Sequence, residues 1–479
     1  MLFNSLQFAI FFPLVVAIYF AVPHRLRVPM LLVASCLFYM AFIPAYILIL
    51  FLTIAIDYVA GIWIEKSPSS TRKLWLIASI ISTCAVLFVF KYFDFFTGNL
   101  VGLAGLFGWH LSKPALHLIL PIGLSFHTFQ SLSYVIEVYR GKQKAETNFI
   151  TYATYVMFFP QLVAGPIERP QNLLHQFYEP HEFDHARITS GLKRMAWGFF
   201  KKLVVADRLA LYVNDVYADP RSFNGLQLSL ATFFFAYQIY CDFSGYSDIA
   251  VGTARILGFN LMENFQTPYY SKSISEFWHR WHISLSTWFR DYVYYPLGGN
   301  RVPALFWCGN ILMVFTVSGL WHGANWTYVI WGLLNGVYLL VGHATKPWRN
   351  RVFAIIGLNE GGTVRSAISV STTFVLVCVA WVVFRAQNTT DALYIFSHAF
   401  SNWDLHTVTT EQFQLKHFPA ALAALAALEL IQYLQPRYSL NLKLARLPSM
   451  PRWAMYIALT MLTVLFGVFR KAQFIYFQF

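Results

Sequence analysis

Long apolar stretches recur from one end of this 479-residue chain to the other, and they restrict the folds open to it. Hydrophobic residues make up 57% of the sequence and charged residues only 12%, whereas soluble domains average about 25% charged residues. An apolar run of about 20 residues can cross a bilayer as a helix, and outer-membrane barrels show short alternating strands instead. The sequence therefore predicts an all-α polytopic membrane protein.

Thirteen apolar segments are candidate membrane-crossing or re-entrant helices. They cover residues 5–22, 29–43, 45–64, 74–97, 116–138, 149–165, 190–212, 225–241, 303–318, 320–343, 366–385, 417–434 and 452–470. The segments around 149–165 and within 241–320 are expected to be re-entrant or tilted, with protein or water covering their backbone. No separate soluble domain is visible, so we expect one membrane domain over 1–479 with a motif-bearing core at 155–345.

The basic residues, which give a net charge of +13, cluster in short loops between the apolar segments. The positive-inside rule places the loops at 23–28, 65–73 and 139–148 in the cytoplasm and the N-terminus on the other side, where the intervening loops offer only Lys113. The same distribution argues against nucleic-acid binding, which needs a basic face on a folded domain.

Two histidines beside tryptophans stand out in this apolar background. His322 follows Trp321, and His282 follows Trp281. Ionisable groups at membrane depth are energetically expensive and frequently functional, and imidazole is the most common general base. Both histidines are therefore candidates for catalysis, with a hydrogen bond between helices as the structural alternative. For His279 we favour a position at the membrane interface.

Metal and serine chemistry have weaker support. Glu276, His279 and His282 recur every three residues and could ligate zinc, but six positions cover a turn and a half of helix, which strains a common centre. We therefore predict no metal site. Residues 245–248 read GYSD and lack the second glycine of a nucleophile elbow, so a covalent serine mechanism is not expected either.

Polar residues in the middle third have competing interpretations. Asp242, Ser244 and Ser247 are residue types that favour helix N-caps, although Asp242 could also support a catalytic site. Arg290 and Asp291 are adjacent and are not expected to face one another on a helix, so each should pair elsewhere.

The basic segment 191–208 is amphipathic. It could anchor the chain to anionic lipid on the cytoplasmic side. Alternatively, Lys201, Lys202 and Arg208 could bind the phosphates of an anionic acyl donor such as coenzyme A. Both interpretations remain open from the sequence.

Four motifs in order resemble the membrane-bound O-acyltransferase (MBOAT) family. They are FPQLVAGPI at 159–167, YCDFSGYSD at 240–248, FWHRWHIS at 277–284 and GLWHG at 319–323. The chain is most similar to the branch that O-acetylates bacterial polysaccharides of the alginate type, which its ending FIYFQF at 474–479 also resembles. This resemblance implies a ring of about 11–13 transmembrane and re-entrant helices around a thin central tunnel.

The resemblance also implies roles for individual residues. His322 matches the family's near-invariant histidine and is expected to act as general base on an acceptor hydroxyl or to receive the acyl group transiently. His282 is expected to orient the other reactant or to stabilise the oxyanion. The residues expected to support the histidines or line the tunnel are Asp242, Asp291, Trp278, Trp281, Trp321, Ser244 and Asn325.

An O-acetyltransferase in the bacterial inner membrane is the function that follows from the resemblance. Acetyl-CoA in the cytoplasm would be the donor, an exported alginate-like polysaccharide the acceptor, and no cofactor would be bound permanently. Because a polymer is too bulky for a helical bundle and the chain has no soluble domain, we expect a periplasmic partner transferase. The alternatives are a D-alanyl or lipid O-acyltransferase of the same family and a non-catalytic transporter, although no inverted repeat supports the last.

Overall fold

The computed structural model describes the whole chain except residues 113–115, 117, 119, 164, 439–446, 470–473 and 476–479. All regular secondary structure in the described part is helical. The prediction of an all-α multi-pass membrane protein is thus confirmed, while Lys113 and the last four residues of the 474–479 motif lie outside the described residues.

Seven helices are long and apolar enough to cross a membrane. They are Pro44–Lys66, Ser69–Leu106, Ala304–His322, Trp326–Ala344, Thr363–Arg385, Leu415–Gln435 and Ser449–Phe466. Leu6–Ala21 is a shorter apolar helix.

The backbone forms two compact units, and the first comprises Met1–Met195 and Ile249–Met262. Its helices are α1 (Leu6–Ala21), α2 (His24–Met40), α3 (Ile47–Lys66), α4 (Ser69–Leu87), α5 (Phe93–Leu106), α6 (Leu124–Tyr139), α7 (Phe149–Met157), α8 (Phe159–Leu162), α9 (Pro170–Leu173) and most of α10 (His185–Phe199). A π-helical turn over Phe88–Tyr92 joins α4 to α5.

The second unit comprises Ala196–Asp248 and Glu263–Phe479. Its helices are α11 (Asp207–Ala218), most of α12 (Gly225–Leu257), α13 (Ile274–Arg280), α14 (Ile283–Phe289), α15 (Ala304–His322), α16 (Trp326–Ala344), α17 (Lys346–Ile355), α18 (Thr363–Arg385), α19 (Thr389–His398), α20 (Phe418–Tyr438) and α21 (Ser449–Phe466). Both candidate histidines and the aromatic residues around them belong to this unit.

Two predicted segments can be compared directly with the observed helices. Residues 149–165 form two short helices, α7 and α8, as expected for a segment that does not cross straight through. The predicted 225–241 helix continues to Leu257 as α12. The N-cap interpretation of Asp242, Ser244 and Ser247 is therefore wrong, because all three lie inside a continuous helix.

Glycines bring α15 and α16 into backbone contact. A Cβ on Gly319 would lie 2.2 Å from the Tyr328 carbonyl oxygen, and a Cβ on Gly332 would lie 2.2 Å from the Phe315 carbonyl oxygen. Small residues permit such close approach between membrane helices. The crossing fixes the end of α15, where His322 lies.

Substitution of Gly319 by Ala should destabilise the protein by about 1–3 kcal/mol, because the new methyl group meets backbone that cannot move aside. Gly309→Ala is the matched control, since Gly309 lies on the same helix and its Cβ would have no neighbour within 4 Å. Thermal unfolding followed by tryptophan fluorescence should show a lower Tm for Gly319→Ala only. Equal Tm values would contradict the close packing.

Candidate active site

His322 is the last residue of α15 and is only 4% exposed. The helix ends there because Gly323 is extended, and its backbone lies so close to the Tyr328 ring that a Cβ would be 2.2 Å from Tyr328 Cε2. Any larger residue at position 323 would push the turn away from that ring. The sequence after His322 therefore fixes where its imidazole lies.

Aromatic side chains surround the His322 ring. The ring centroids of Trp321 and Trp331 lie 5.0 Å from it and that of Phe384 lies 5.4 Å away, all in edge contacts. Trp331 in turn stacks on Trp381 at 5.8 Å. These indoles and benzene rings exclude water, which strengthens electrostatic interactions of the imidazole.

His282 lies at a break between α13 and α14 and is completely buried. Its backbone has φ 44° and ψ 54°, in the left-handed region. Residues other than glycine cost about 1–3 kcal/mol there, and such strain concentrates at functional sites. The break turns the chain so that the imidazole contacts Phe243 of α12, at a ring-centroid distance of 4.6 Å.

The Asn264 side chain fixes the tautomer of His282. Asn264 Oδ1 accepts hydrogen bonds from the Ser284 backbone N–H at 3.2 Å and from the Ser284 hydroxyl at 2.9 Å. Because a backbone N–H can only donate, this atom is the amide oxygen. His282 Nδ1 lies 3.2 Å from the same oxygen and must therefore carry a proton.

The second nitrogen of His282 is consequently an acceptor. His282 lies outside the seven candidate spans, and burial lowers its pKa to about 3. The ring is therefore neutral near pH 7, with the proton on Nδ1 and a lone pair on Nε2. A neutral imidazole of this tautomer can accept a proton at Nε2, which is what a general base or an orienting group needs.

One indole contacts both histidines. The Trp321 ring centroid lies 6.3 Å from that of His282 and 5.0 Å from that of His322. The structure thus brings the two predicted histidines together around a predicted tunnel residue. Trp278 and Trp281 extend the aromatic cluster, since Trp278 contacts Trp331 and Trp281 contacts Trp381, at 5.7 and 5.1 Å.

Buried ion pairs connect α12 to the basic segment 191–208. Lys202 Nζ contacts Asp242 at 2.5 Å and Asp207 at 2.8 Å. Lys201 Nζ contacts Asp248 at 2.6 Å and donates a hydrogen bond to Ser244 Oγ at 2.9 Å. The Lys201 side chain is buried. Each buried lysine thus has a carboxylate partner. Lys202 has two, and burial raises the pKa of Asp207 to about 7.

These contacts bear on the predicted roles of the basic segment. Lys201 and Lys202 are 4% and 3% exposed, and Arg208 donates to the Phe466 carbonyl oxygen. The geometry favours a structural role for all three over contact with lipid or phosphate. That they bind the donor stays a prediction.

Asp242 and Ser244 flank Phe243, the residue that contacts His282. Asp242 also accepts a hydrogen bond from the Ile475 backbone N–H at 2.7 Å. The ion pair of Asp242 with Lys202 fixes α12 at the residue next to Phe243. Its predicted supporting role therefore has a geometric basis, although an effect on catalysis stays a prediction.

Two other predicted residues have local partners. Asp291 pairs with the adjacent Arg290 at 2.9 Å in a π-helical turn, so the expectation that they pair elsewhere is wrong for this contact, because the long arginine side chain folds back. Asn325 caps α16 by accepting from the Thr327 N–H and donates to the Gln387 carbonyl oxygen.

The three residues weighed as metal ligands do not converge. Glu276 pairs with Arg280 at 2.7 Å, His279 is exposed and contacts the Ser275 carbonyl oxygen, and only His282 is buried. No group of three histidine, cysteine or acidic residues could hold a metal ion within the described residues.

Sequence reasoning missed Asn264, Ser284 and Phe384. Asn264 lies between the motifs at 240–248 and 277–284, but nothing in its neighbours shows that it meets His282 eighteen positions later. Phe384 lies at the end of an ordinary apolar helix and carries no sequence signal.

The sequence of this chain is similar to those of known acyltransferases. Residues 142–355 match a family model described as MBOAT, membrane-bound O-acyltransferase family. The chain is 38% identical over 413 residues to a protein of Pseudomonas aeruginosa named probable alginate O-acetylase AlgI, covering 85% of this chain and 76% of that protein.

Two relatives have other acceptors in their names. The peptidoglycan O-acetyltransferase of Helicobacter pylori is 34% identical over 392 residues, which are 76% of this chain and 72% of the relative. The teichoic acid D-alanyltransferase of Bacillus subtilis is 28% identical over 293 residues, which are 57% of this chain and 71% of the relative.

Removal of the Asn264 amide should lower kcat about 10- to 100-fold, because His282 could then adopt the wrong tautomer. Asn264→Asp should retain more activity than Asn264→Ala, since a carboxylate also accepts from Nδ1–H. It should also shift the pH profile upward, because a carboxylate beside His282 raises the imidazole pKa. Equal activities and pH profiles for the two variants would contradict the positioning role.

Proposed function

This chain belongs to the membrane-bound O-acyltransferase family, and on that basis we propose that it moves an acetyl group from cytoplasmic acetyl-CoA across the bacterial inner membrane for O-acetylation of an exported polysaccharide. It is an O-acyltransferase and a multi-pass membrane protein. The donor, the acceptor and the membrane are parts of the proposal. The observation that carries it is the pair of buried histidines joined by Trp321.

The enclosed aromatic site suits acyl transfer. A thioester is stable in water at neutral pH, but transfer to a hydroxyl requires that water be kept away from the acyl group. The rings of Trp321, Trp331 and Phe384 leave His322 only 4% exposed. Positioning two reactants in such a site contributes a large part of the rate.

The proposed reaction uses both histidines. His322 removes the proton from the acceptor hydroxyl, whose oxygen then forms a bond to the thioester carbonyl carbon. The carbon–sulfur bond breaks, and the thiolate of coenzyme A takes up the proton from the His322 imidazolium. In the alternative route, a ring nitrogen of His322 attacks the thioester carbonyl carbon and coenzyme A leaves as the thiolate. The acceptor hydroxyl then attacks the acetylated imidazole, its proton passes to that thiolate, and His322 is released.

The geometry favours one of the two roles expected for His282. Stabilising an oxyanion requires a donor, whereas Nε2 of neutral His282 is an acceptor, because Asn264 holds the proton on Nδ1. A hydroxyl of the acceptor other than the one that His322 deprotonates can donate a hydrogen bond to Nε2 in that tautomer. We therefore propose that His282 orients a hydroxyl-bearing reactant.

A second protein completes the proposal. A polysaccharide is too bulky to reach two histidines that are 0% and 4% exposed. We propose that the acetyl group passes to a periplasmic partner transferase, which delivers it to the polymer. The relatives named for alginate favour an alginate-like polymer over peptidoglycan, because their identities are higher.

The basic loops support an N-terminus in the periplasm. With loops 23–28, 65–73 and 139–148 in the cytoplasm, acetyl-CoA would enter from the side that carries the positive charge. Expression with reporter tags at the N-terminus and in one of these loops would test the orientation.

D-alanyl transfer is the second candidate function. The teichoic acid relative aligns with a smaller share of the chain and at lower identity than the O-acetyltransferases. We therefore rank acetyl transfer first. Incubation with radiolabelled acetyl-CoA, with D-alanyl carrier protein as the competing donor, distinguishes the two.

His322→Ala should lower polymer acetylation by about 10²- to 10⁴-fold, the usual contribution of a general base. His282→Ala should lower it by at least about tenfold. His279→Ala is the matched control and should retain nearly full activity, because His279 is exposed and only contacts backbone. Folding is checked by Tm. Normal acetylation by folded His322→Ala would refute the assignment.

The relay predicts that the purified chain, reconstituted in vesicles with acetyl-CoA, does not acetylate added polymer by itself. Periplasmic extract from the same cells should restore the reaction. Efficient acetylation by the chain alone would refute the requirement for a partner, while leaving the acyltransferase assignment intact.

A further inference from the structure

A carboxylate is buried in the middle of a membrane span, far along the sequence from the motifs of the active site. Asp57 lies near the centre of α3 and is 0% exposed. It belongs to the first unit, whereas the histidines belong to the second. Ionisable groups at membrane depth are rare and usually functional. The acyl-transfer reaction proposed above makes no use of Asp57.

Hydroxyl groups from a neighbouring helix bind this carboxylate. Ser79 Oγ of α4 donates to Asp57 Oδ1 at 2.6 Å, and Thr83 Oγ1, one turn later, lies 3.0 and 3.2 Å from the two carboxylate oxygens. Both donors lie on one face of α4, because residues four apart share a helix face.

Two further hydroxyls lie close to the same carboxylate. Ser131 of α6 and Tyr152 of α7 interact electrostatically with Asp57, and both residues are 0% exposed. Ser131 lies within hydrogen-bond reach of Asp57 and of the Tyr152 hydroxyl, but neither hydroxyl reaches full hydrogen-bond geometry within the described residues. Such buried polar atoms call for a partner, because an unsatisfied hydroxyl in an apolar interior costs free energy.

The approach of α6 to α3 is tight at this level. A Cβ on Gly61, one turn after Asp57, would lie 2.7 Å from Tyr134 Cε1, and Tyr134 lies one turn after Ser131 on α6. Residues three or four apart share a helix face. The glycine therefore lets the faces that carry Asp57 and Ser131 pack together.

The charge of Asp57 has no protein counter-charge. None of the described basic side chains forms an ion pair with it. His127 lies one turn before Ser131, but it is 1% exposed and has no carboxylate bonded to either ring nitrogen, so burial favours its neutral form. When the carboxyl group of Asp57 is ionised, its single negative charge lies among four neutral hydroxyls.

We propose a binding site for one monovalent alkali cation, Na⁺, formed by Asp57, Ser79, Thr83, Ser131 and Tyr152. Hydroxyl and carboxylate oxygens are the ligands of hard cations. One carboxylate balances one positive charge, so a divalent ion would leave a net buried charge, which is costly. The cation would hold α3, α4, α6 and α7 together and stabilise the first unit.

The test is the Na⁺ dependence of thermal unfolding of the purified full chain in detergent. NaCl is exchanged for choline chloride at fixed chloride concentration and fixed pH, and Tm is followed by tryptophan fluorescence. Binding to the folded state should raise the wild-type Tm saturably with Na⁺, by about 3 °C or more. Identical Tm values in the two salts would overturn the proposal.

Variants localise the effect. Asp57→Asn keeps the size of the side chain but removes the charge, and it should abolish the Na⁺ response. Ser79→Ala should weaken the response, whereas Ser82→Ala should leave it unchanged, because the Ser82 hydroxyl bonds to the Ala78 carbonyl oxygen of its own helix. A full Na⁺ response in folded Asp57→Asn would overturn the site.

The matched serine pair keeps the test decisive if Asp57→Asn does not fold. Equal Na⁺ responses in Ser79→Ala and Ser82→Ala would then overturn the proposal. A proton is the competing occupant of the carboxyl group. A wild-type Tm that changes with pH but is the same in NaCl and choline chloride would assign a proton to Asp57 and also overturn the cation site.

Discussion

The free-energy cost of removing polar groups from water constrains this structure. Because 57% of the residues are hydrophobic, the charged side chains inside the protein have apolar surroundings. The second unit meets that cost in two ways. Lys202 forms ion pairs with the carboxylates of Asp242 and Asp207. His282 avoids charge altogether, since burial keeps it neutral and Asn264 binds its N–H. The ion pairs stabilise the helices, and the neutral imidazole keeps a lone pair for chemistry.

Both histidines lie where a helix is interrupted, and that common position has a physical reason. Inside a continuous helix the backbone satisfies itself and the side chains point outward along the helix surface. The chain turns at the end of α15 and between α13 and α14. At such a turn the side chain of a histidine can point into the protein interior. Gly323 permits one turn by its close contact with Tyr328. The left-handed conformation of His282 produces the other.

The long apolar runs were sufficient to predict the helical class and most helix positions, since a bilayer leaves a helix few alternatives. His322 and His282 could be selected because a histidine beside tryptophan is unusual in such surroundings. The partners of these residues could not be predicted. Lys202 meets Asp242 forty positions later in the chain, and only the packing of α12 shows that both are buried. From the sequence, Asp242 is therefore interpreted as a helix cap and Lys202 as a lipid anchor, whereas the two form an ion pair.

The tautomer of His282 restricts the reactions it can support more than the presence of a histidine at this position does. Any buried histidine could act as a donor, an acceptor or a metal ligand. The Ser284 backbone N–H fixes the orientation of the Asn264 amide, and the amide fixes the proton on Nδ1. What remains is an acceptor at Nε2, beside an indole that also contacts His322. Stabilisation of a developing oxyanion therefore requires a donor other than neutral His282, and a reactant with a hydroxyl is the partner that this nitrogen suits.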